Sequence, residues 1–180
     1  MKVLAFTGMP FSGKSEAVKI VNELEIPVIR MGDLVWEEVK NQNLDLTDEN
    51  VGNVANSMRE KYGKDIWAKK TLEEIKKELN SRLIIIDGIR NLEEIKTFKM
   101  ELGNNFTLIA IIASDEMRYK RGLNRNRADD TKDIDKMKER DLREINWGLK
   151  EVISSADIQI KNNGSIEEFR NNVKKIIPML

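Results

Sequence analysis

The sequence predicts an α/β fold of the P-loop kind: a five-stranded parallel sheet flanked by helices and carrying two helical insertions. Three observations lead there. Five short apolar segments alternate with amphipathic stretches, the pattern of βαβ units whose strands are covered on both faces. A glycine-bearing loop joins the first apolar segment to a helical pattern. Two connections are far longer than an α/β crossover needs, yet the chain has no internal repeat, low-complexity tract or linker rich in proline, glycine and serine. Residues 1–180 are therefore expected to form a single domain.

The first segment, KVLAFT, has the β-branched and apolar character of a buried strand. Beyond it GMPFSGKSEA, residues 8–17, spells G-x-x-x-x-G-K-S between Gly8 and Ser15. From Lys14 to Leu24 the pattern is helical, with Val18, Val21 and Leu24 at three-residue spacing on one face. A glycine turn between strand and helix points consecutive backbone N–H groups at one place, and the helix N-terminus adds partial positive charge. Gly8, Met9, Pro10, Phe11, Ser12, Gly13, Lys14 and Ser15 are thus candidates for holding a triphosphate. Lys14 would reach the β- and γ-phosphates, and the Ser15 hydroxyl would ligate Mg²⁺. Phe11 stands where many such loops carry a third glycine. If that position needs a positive φ, phenylalanine is a costly choice; at a less demanding angle its ring is free to pack beside the nucleotide.

The second strand is read in IPVIR, followed by several helices over residues 33–81. The third, RLIIIDG, carries Asp87 at its carboxyl end, the edge where ligands bind in open parallel sheets. Asp87 is therefore a candidate for the magnesium shell; Asn91 is the better cap for the helix in NLEEIKTF. FTLIAIIAS supplies the fourth strand and ADIQIKN the fifth, with residues 115–156 between them reading as two or more helices. Ten basic and eight acidic residues crowd Glu116–Glu144, with Arg118, Arg121 and Arg125 on one helical face and Arg140 and Arg143 after the acidic turn ADDTKD. Charge runs are usually solvated helix faces. Beside a phosphate-binding loop this one reads as an arginine-bearing lid, because phosphoryl transfer needs positive charge around the moving group and exclusion of water.

Composition narrows the chemistry further. Basic and acidic residues number 31 each, so no net field favours a nucleic acid or a membrane as partner. Cysteine and histidine are both absent, so a general base must be a carboxylate, and catalysis rests on lysine, arginine and metal. No apolar run reaches the ~18 residues of a membrane span, and the first strand is too short for a signal peptide. The expected location is cytoplasmic.

The first strand and its loop, IIIDGIR, and the arginine-bearing insertion together resemble the nucleoside-monophosphate kinases, adenylate kinase foremost. Nearly the whole chain is similar to an archaeal group of adenylate-kinase-related P-loop proteins with a GMPxSGKSE loop, a DG[IV]R strand end and an RYKR lid start. The resemblance implies ATP on Gly8–Ser15 and Arg121 near the adenine, with Arg125 and Arg140 closing on the transferring phosphoryl group. It further implies Asp33 at the acceptor site in an acceptor-binding insertion, and Arg59 and Arg90 clamping the acceptor phosphate. The bland alternatives make Arg59 a surface helix residue and Asp33 a helix cap. Adenylate kinases carry an arginine three residues after the GD pair; here it is Trp36, which can stack on a base but cannot neutralise phosphate.

The segment SSADIQIKNNGSIEEF resembles dephospho-coenzyme A kinase instead, implying Asn163 and Gly164 near the adenine and Asp33 as base toward a ribose hydroxyl. KERDLRE points the same way. The expected activity is Mg²⁺- and ATP-dependent phosphoryl transfer to a nucleotide-like acceptor, AMP first and dephospho-coenzyme A second. A nucleotide-responsive ATPase or regulator without a phosphorylated acceptor is the alternative of another class.

Overall fold

The computed structural model describes residues 1–78, 80–124 and 132–177. All five expected strands form: β1 (Lys2–Thr7), β2 (Val28–Arg30), β3 (Leu83–Asp87), β4 (Phe106–Ile112) and β5 (Ile158–Lys161). They build one parallel sheet in the order β2-β3-β1-β4-β5. The β2 strand is shorter than IPVIR suggests. It lies at the sheet edge, and Pro27 contributes only its carbonyl, which accepts from the Ile85 N–H at 2.9 Å.

Nine α-helices occur among the described residues. α1 (Lys14–Glu23) follows β1; α2 (Met31–Asn41), α3 (Asp48–Tyr62) and α4 (Ile66–Ile75) fill the first long connection. α5 (Leu92–Leu102) joins β3 to β4, while α6 (Asp115–Asn124), α7 (Ile134–Asn146) and α8 (Leu149–Ser154) occupy the second long connection, and α9 (Ile166–Ile176) follows β5. The expected cap is present: the Asn91 side chain accepts from the Glu94 N–H while Glu94 reaches back to the Asn91 N–H.

Successive β1 residues face opposite sides of the sheet, as a period of two requires. Val3 and Ala5 join Ile84, Ile86 and Leu108 under α2–α5 and α8, whereas Leu4 and Phe6 join Ile85, Ile109 and Ile111 under α1 and α9. Trp67 is sealed in the first of these cores, where its indole N–H donates to the Ala55 carbonyl at 3.3 Å and ties α4 to α3. Strand register brings the functional ends level: Asp87 lies opposite Phe6 on one side and Arg30 on the other. The loop after β1, the start of α2 and the end of β3 therefore open on one cleft.

Candidate functional site

The loop Gly8–Gly13 turns the chain from β1 into α1. Gly13 is the N-cap of α1 with φ 117°, and no side chain caps the helix, leaving first-turn N–H groups for an anion. A Cβ at Gly13 would lie 2.1 Å from Asn162 Nδ2, and one at Gly8 would lie 2.4 Å from the Ile111 carbonyl oxygen. Phe11 does adopt a positive φ, 62°, so the position is conformationally demanding. Burial of the ring offsets that strain: Phe11 is 7% exposed and packs near Gly122 of α6, while the Arg140 guanidinium lies 6.0 Å from its centroid. Gly13→Ala should cost about 2–4 kcal/mol of stability, from a strained φ plus a displaced Asn162, read as a lowered denaturation midpoint by circular dichroism.

The loop borders a cleft of about 460 Å³. Pro10, Phe11, Gly13, Lys14, Ser15, Asp33, Trp36, Arg59, Asp87, Arg90 and Arg140, all singled out from the sequence, line it together. Gly8, Met9 and Ser12 shape the loop without lining the cleft. The Lys14 ammonium donates to the Gly8 and Met9 carbonyls at 2.6 and 3.0 Å. Burial, reinforced by the Arg90 charge, pushes its pKa down to about 7 despite the opposing pull of Asp87 and Glu144.

Asp33 is not a cap. α2 begins at Met31, so Asp33 sits in the first turn, exposed, in a long 3.8 Å ion pair with Arg30. Arg59 is not an ordinary surface residue either: its side chain is 10% exposed, and its Cζ lies 4.4 Å from the Trp147 ring centroid. Its Nη2 donates to Glu94 Oε1 at 3.3 Å, while Nε and Nη1 are buried without a hydrogen-bond partner. Burial raises the Glu94 pKa, and the Arg59 charge opposes the rise only in part. One Glu94 carboxylate thereby receives Arg59 and the Arg90 and Asn91 N–H groups.

The arginines of the second insertion divide. Arg125 and the neighbouring Arg127 lie outside the described residues. Arg118, expected on one helical face of the lid with Arg121 and Arg125, is buried. Its Nη1 donates to the Pro10 carbonyl at 2.9 Å, and both Nη groups hold Asp141, at 3.0 and 2.6 Å. Arg121 donates to the carbonyls of Ser12 and Asn162 at 3.3 and 2.8 Å and borders, with Phe11 and Ser15, a second hollow of about 410 Å³. The adjacent asparagine, Asn162, touches the loop, donating to the Ser12 carbonyl at 2.8 Å. Asn163 accepts from the Ser114 N–H at 2.8 Å, and Gly164 is exposed, its place for a Cβ taken by Glu168. The run KNNGS offers two asparagines, and only the register of β5 chooses between them.

Several cleft residues were not singled out for roles from the sequence. Arg143 pairs with both Asp48 oxygens at 2.9 and 2.8 Å, and Arg140 Nη1 lies 3.3 Å from the same carboxylate. Glu144 Oε2 meets Arg90 Nε at 2.8 Å, and its Oε1 lies 3.5 Å from Arg140 Nε. The Trp147 ring centroid lies 4.4 Å from Arg59 Cζ and 5.8 Å from Arg143 Cζ, and its indole N–H donates to Asn56. The available signal was the three-to-four-residue spacing of Arg140, Arg143, Glu144 and Trp147, which shares one helix face.

A divalent cation fits at Asp87. Its Oδ1 is buried and makes no hydrogen bond, and Ser15 lines the same cleft. No group of three acidic side chains encloses a metal among the described residues. Magnesium there would take most of its oxygens from phosphates and water, as it prefers.

Comparison with known proteins bears on the family and the fold. Residues 7–144 match the AAA domain family. The chain is 41% identical over 177 residues to a UPF0200 protein of Methanosarcina acetivorans, covering 98% of this chain and 94% of that one. It is 45% identical over 178 residues to the UPF0200/UPF0201 protein of Archaeoglobus fulgidus, covering 98% of this chain but only 55% of that protein's length. Among solved structures, dephospho-CoA kinase from Campylobacter jejuni superposes with a TM-score of 0.57 at 19% identity, covering 99% and 96% of the two chains. Shikimate kinase from Aquifex aeolicus does so with 0.52 at 19%, covering 98% and 96%. At identities this low the superpositions show a shared fold alone. No helix among the described residues is long and apolar enough to cross a membrane. The chain belongs to the UPF0200 family of AAA-domain P-loop proteins.

Proposed function

We propose that the chain is a phosphotransferase that moves the γ-phosphoryl group of ATP to a phosphorylated, nucleotide-like acceptor, AMP in the first place. One observation carries this reading. The Arg59 guanidinium is nine-tenths buried in the cleft wall with two nitrogens lacking hydrogen-bond partners. Keeping such donors unsatisfied is costly, and an acceptor phosphate is the group that suits a planar arginine fork. Trp36 on the same cleft supplies an aromatic face for a base.

In this reading Gly8–Ser15 cradles the triphosphate, and Lys14 leaves its loop carbonyls for the β- and γ-oxygens. Magnesium, held through Ser15 and Asp87, supplies charge neutralisation when bound. Arg59 and Arg90 orient the acceptor, while Arg140 faces the transferring group and, with Arg121, closes residues 115–156 as a lid. Arg125 would join them, and Asn163 and Gly164 would lie by the adenine. The acceptor oxygen bonds to the γ-phosphorus as the bond to the β–γ bridging oxygen breaks, releasing ADP. A monophosphate oxygen is already ionised and needs no base.

A hydroxyl acceptor, as in dephospho-coenzyme A, is favoured by a different observation: Asp33 is an exposed carboxylate on the cleft wall, loosely paired and placed to take a proton. ATP carrying a radiolabelled γ-phosphate, offered nucleoside monophosphates and dephospho-coenzyme A in turn, separates the readings. Labelled ADP from AMP supports the first. Labelled coenzyme A supports the second, and label appearing only as inorganic phosphate supports an ATPase and overturns both.

A further inference from the structure

Glu144 is 4% exposed, yet it projects among the positive groups of the cleft. Its oxygens meet Arg90 and Arg140, and Lys14 and Arg143 act on it electrostatically as well. Burial disfavours its charge, but those four cations outweigh burial and hold its pKa below the ordinary carboxylate range. Around this point stand Lys14, Arg90, Arg140 and Arg143 against Glu144, Asp48 and Asp87, a positive excess. Buried ion pairs seldom repay their desolvation as stability. This one also sets a carboxylate charge 2.8 Å from Arg90 Nε, on the guanidinium expected to clamp the acceptor.

We infer that Glu144 is a resident counter-anion: it holds Arg90 and Arg140 at the cleft in place of a phosphate and gives way when the acceptor phosphate enters. This rests on the phosphotransferase reading for the identity of the entering group, but the displacement itself does not require chemistry. Glu144 Oε2 sits 2.8 Å from Arg90 Nε as an ion pair without hydrogen-bond geometry, so the carboxylate counters the guanidinium charge while staying easy to displace. The carboxylate also lowers the positive potential available to the γ-phosphate. Without acceptor, Arg90 and Arg140 stay turned to Glu144; with acceptor, they turn to its phosphate, whose two charges outcompete the single carboxylate charge. Glu144 is a positioning residue whose displacement links acceptor occupancy to competence for transfer.

The test uses inorganic tripolyphosphate without magnesium, measured by titration calorimetry, so it is independent of acceptor identity and of turnover. Glu144→Gln should bind tripolyphosphate about tenfold more tightly than wild type, since one opposing charge is removed at short range. Glu144→Asp, which keeps the charge, should stay near wild type, and adding Arg90→Gln to Glu144→Gln should erase the gain. In parallel, acceptor-free ATP hydrolysis by Glu144→Gln should rise several-fold. Should Glu144→Gln be unstable for lack of its counter-ion, tripolyphosphate should restore its fold by mass action. Equal or weaker tripolyphosphate binding, or a variant left unfolded in saturating tripolyphosphate, overturns the inference. The phosphotransferase reading fails separately, on absence of a labelled acceptor.

Discussion

Lys14→Ala protein is expected to lose ATP turnover by ~10³-fold or more while keeping its fold, because a point charge at the crowded β- and γ-oxygens has no substitute in the loop. The side chain contributes no packing to either hydrophobic core. Its loss deprives the Gly8 and Met9 carbonyls of a donor, costing about 1 kcal/mol where water can reach them. Turnover with Mg·ATP and a circular dichroism melt, taken on the same preparation, check both halves. Turnover near wild type would remove Lys14 from the phosphate site.

The same residue predicts a pH dependence. Free Lys14 loses its proton near pH 7, whereas phosphate oxygens favour the ammonium, so binding above pH 7 takes up a proton. ATP affinity should therefore fall as pH rises from 7, approaching tenfold per unit. Calorimetry in buffers of different ionisation enthalpy reads the proton directly. Affinity constant from pH 7 to 9 would contradict the lowered pKa.

Arg59→Ala and Arg90→Ala are each expected to cost about 2–4 kcal/mol of transition-state stabilisation, with Asp33→Asn costing much less, if the acceptor is a monophosphate. The arginines carry the acceptor charge, and no proton has to be removed. A hydroxyl acceptor reverses the pattern: Asp33→Asn should then lower kcat by ~10²–10⁴-fold with KM little changed. Arg59→Ala has a second consequence, because Glu94 is fully buried and would lose a charged partner; breaking such a pair costs ~3–5 kcal/mol of stability. Arg59→Lys separates the two effects. It keeps a positive charge near Glu94 but lacks the planar fork that receives phosphate, so it should recover stability ahead of kcat/KM. Asp33→Asn should leave stability unchanged, the side chain being exposed and weakly paired. Collapse of kcat in Asp33→Asn, with both arginine variants mild, would reject the monophosphate reading.

By itself the sequence determined the strands, their alternation with helices and the phosphate loop. These rest on short-range rules: a buried parallel strand needs a continuous apolar run, and a loop at a helix N-terminus needs glycine at set positions. KVLAFT, RLIIIDG and GMPFSGKS satisfy those rules locally, and Asp87 was legible because a strand's carboxyl end is a place in the chain before it is a place in space. Which charges meet was decided only by tertiary structure. Arg118 and Arg121 stand three residues apart in the same charged helix, yet one is clasped by Asp141 beneath Pro10 and the other reaches Ser12 and Asn162. Arg140, Arg143 and Glu144 find Asp48 and Arg90 across the cleft, from elements distant in sequence. The hydrophobic pattern of a helix records which face is buried. It does not record which carboxylate a guanidinium will reach, since charge pairing is set by distances of a few ångströms that arise only when α3, α7 and the end of β3 pack over one sheet edge.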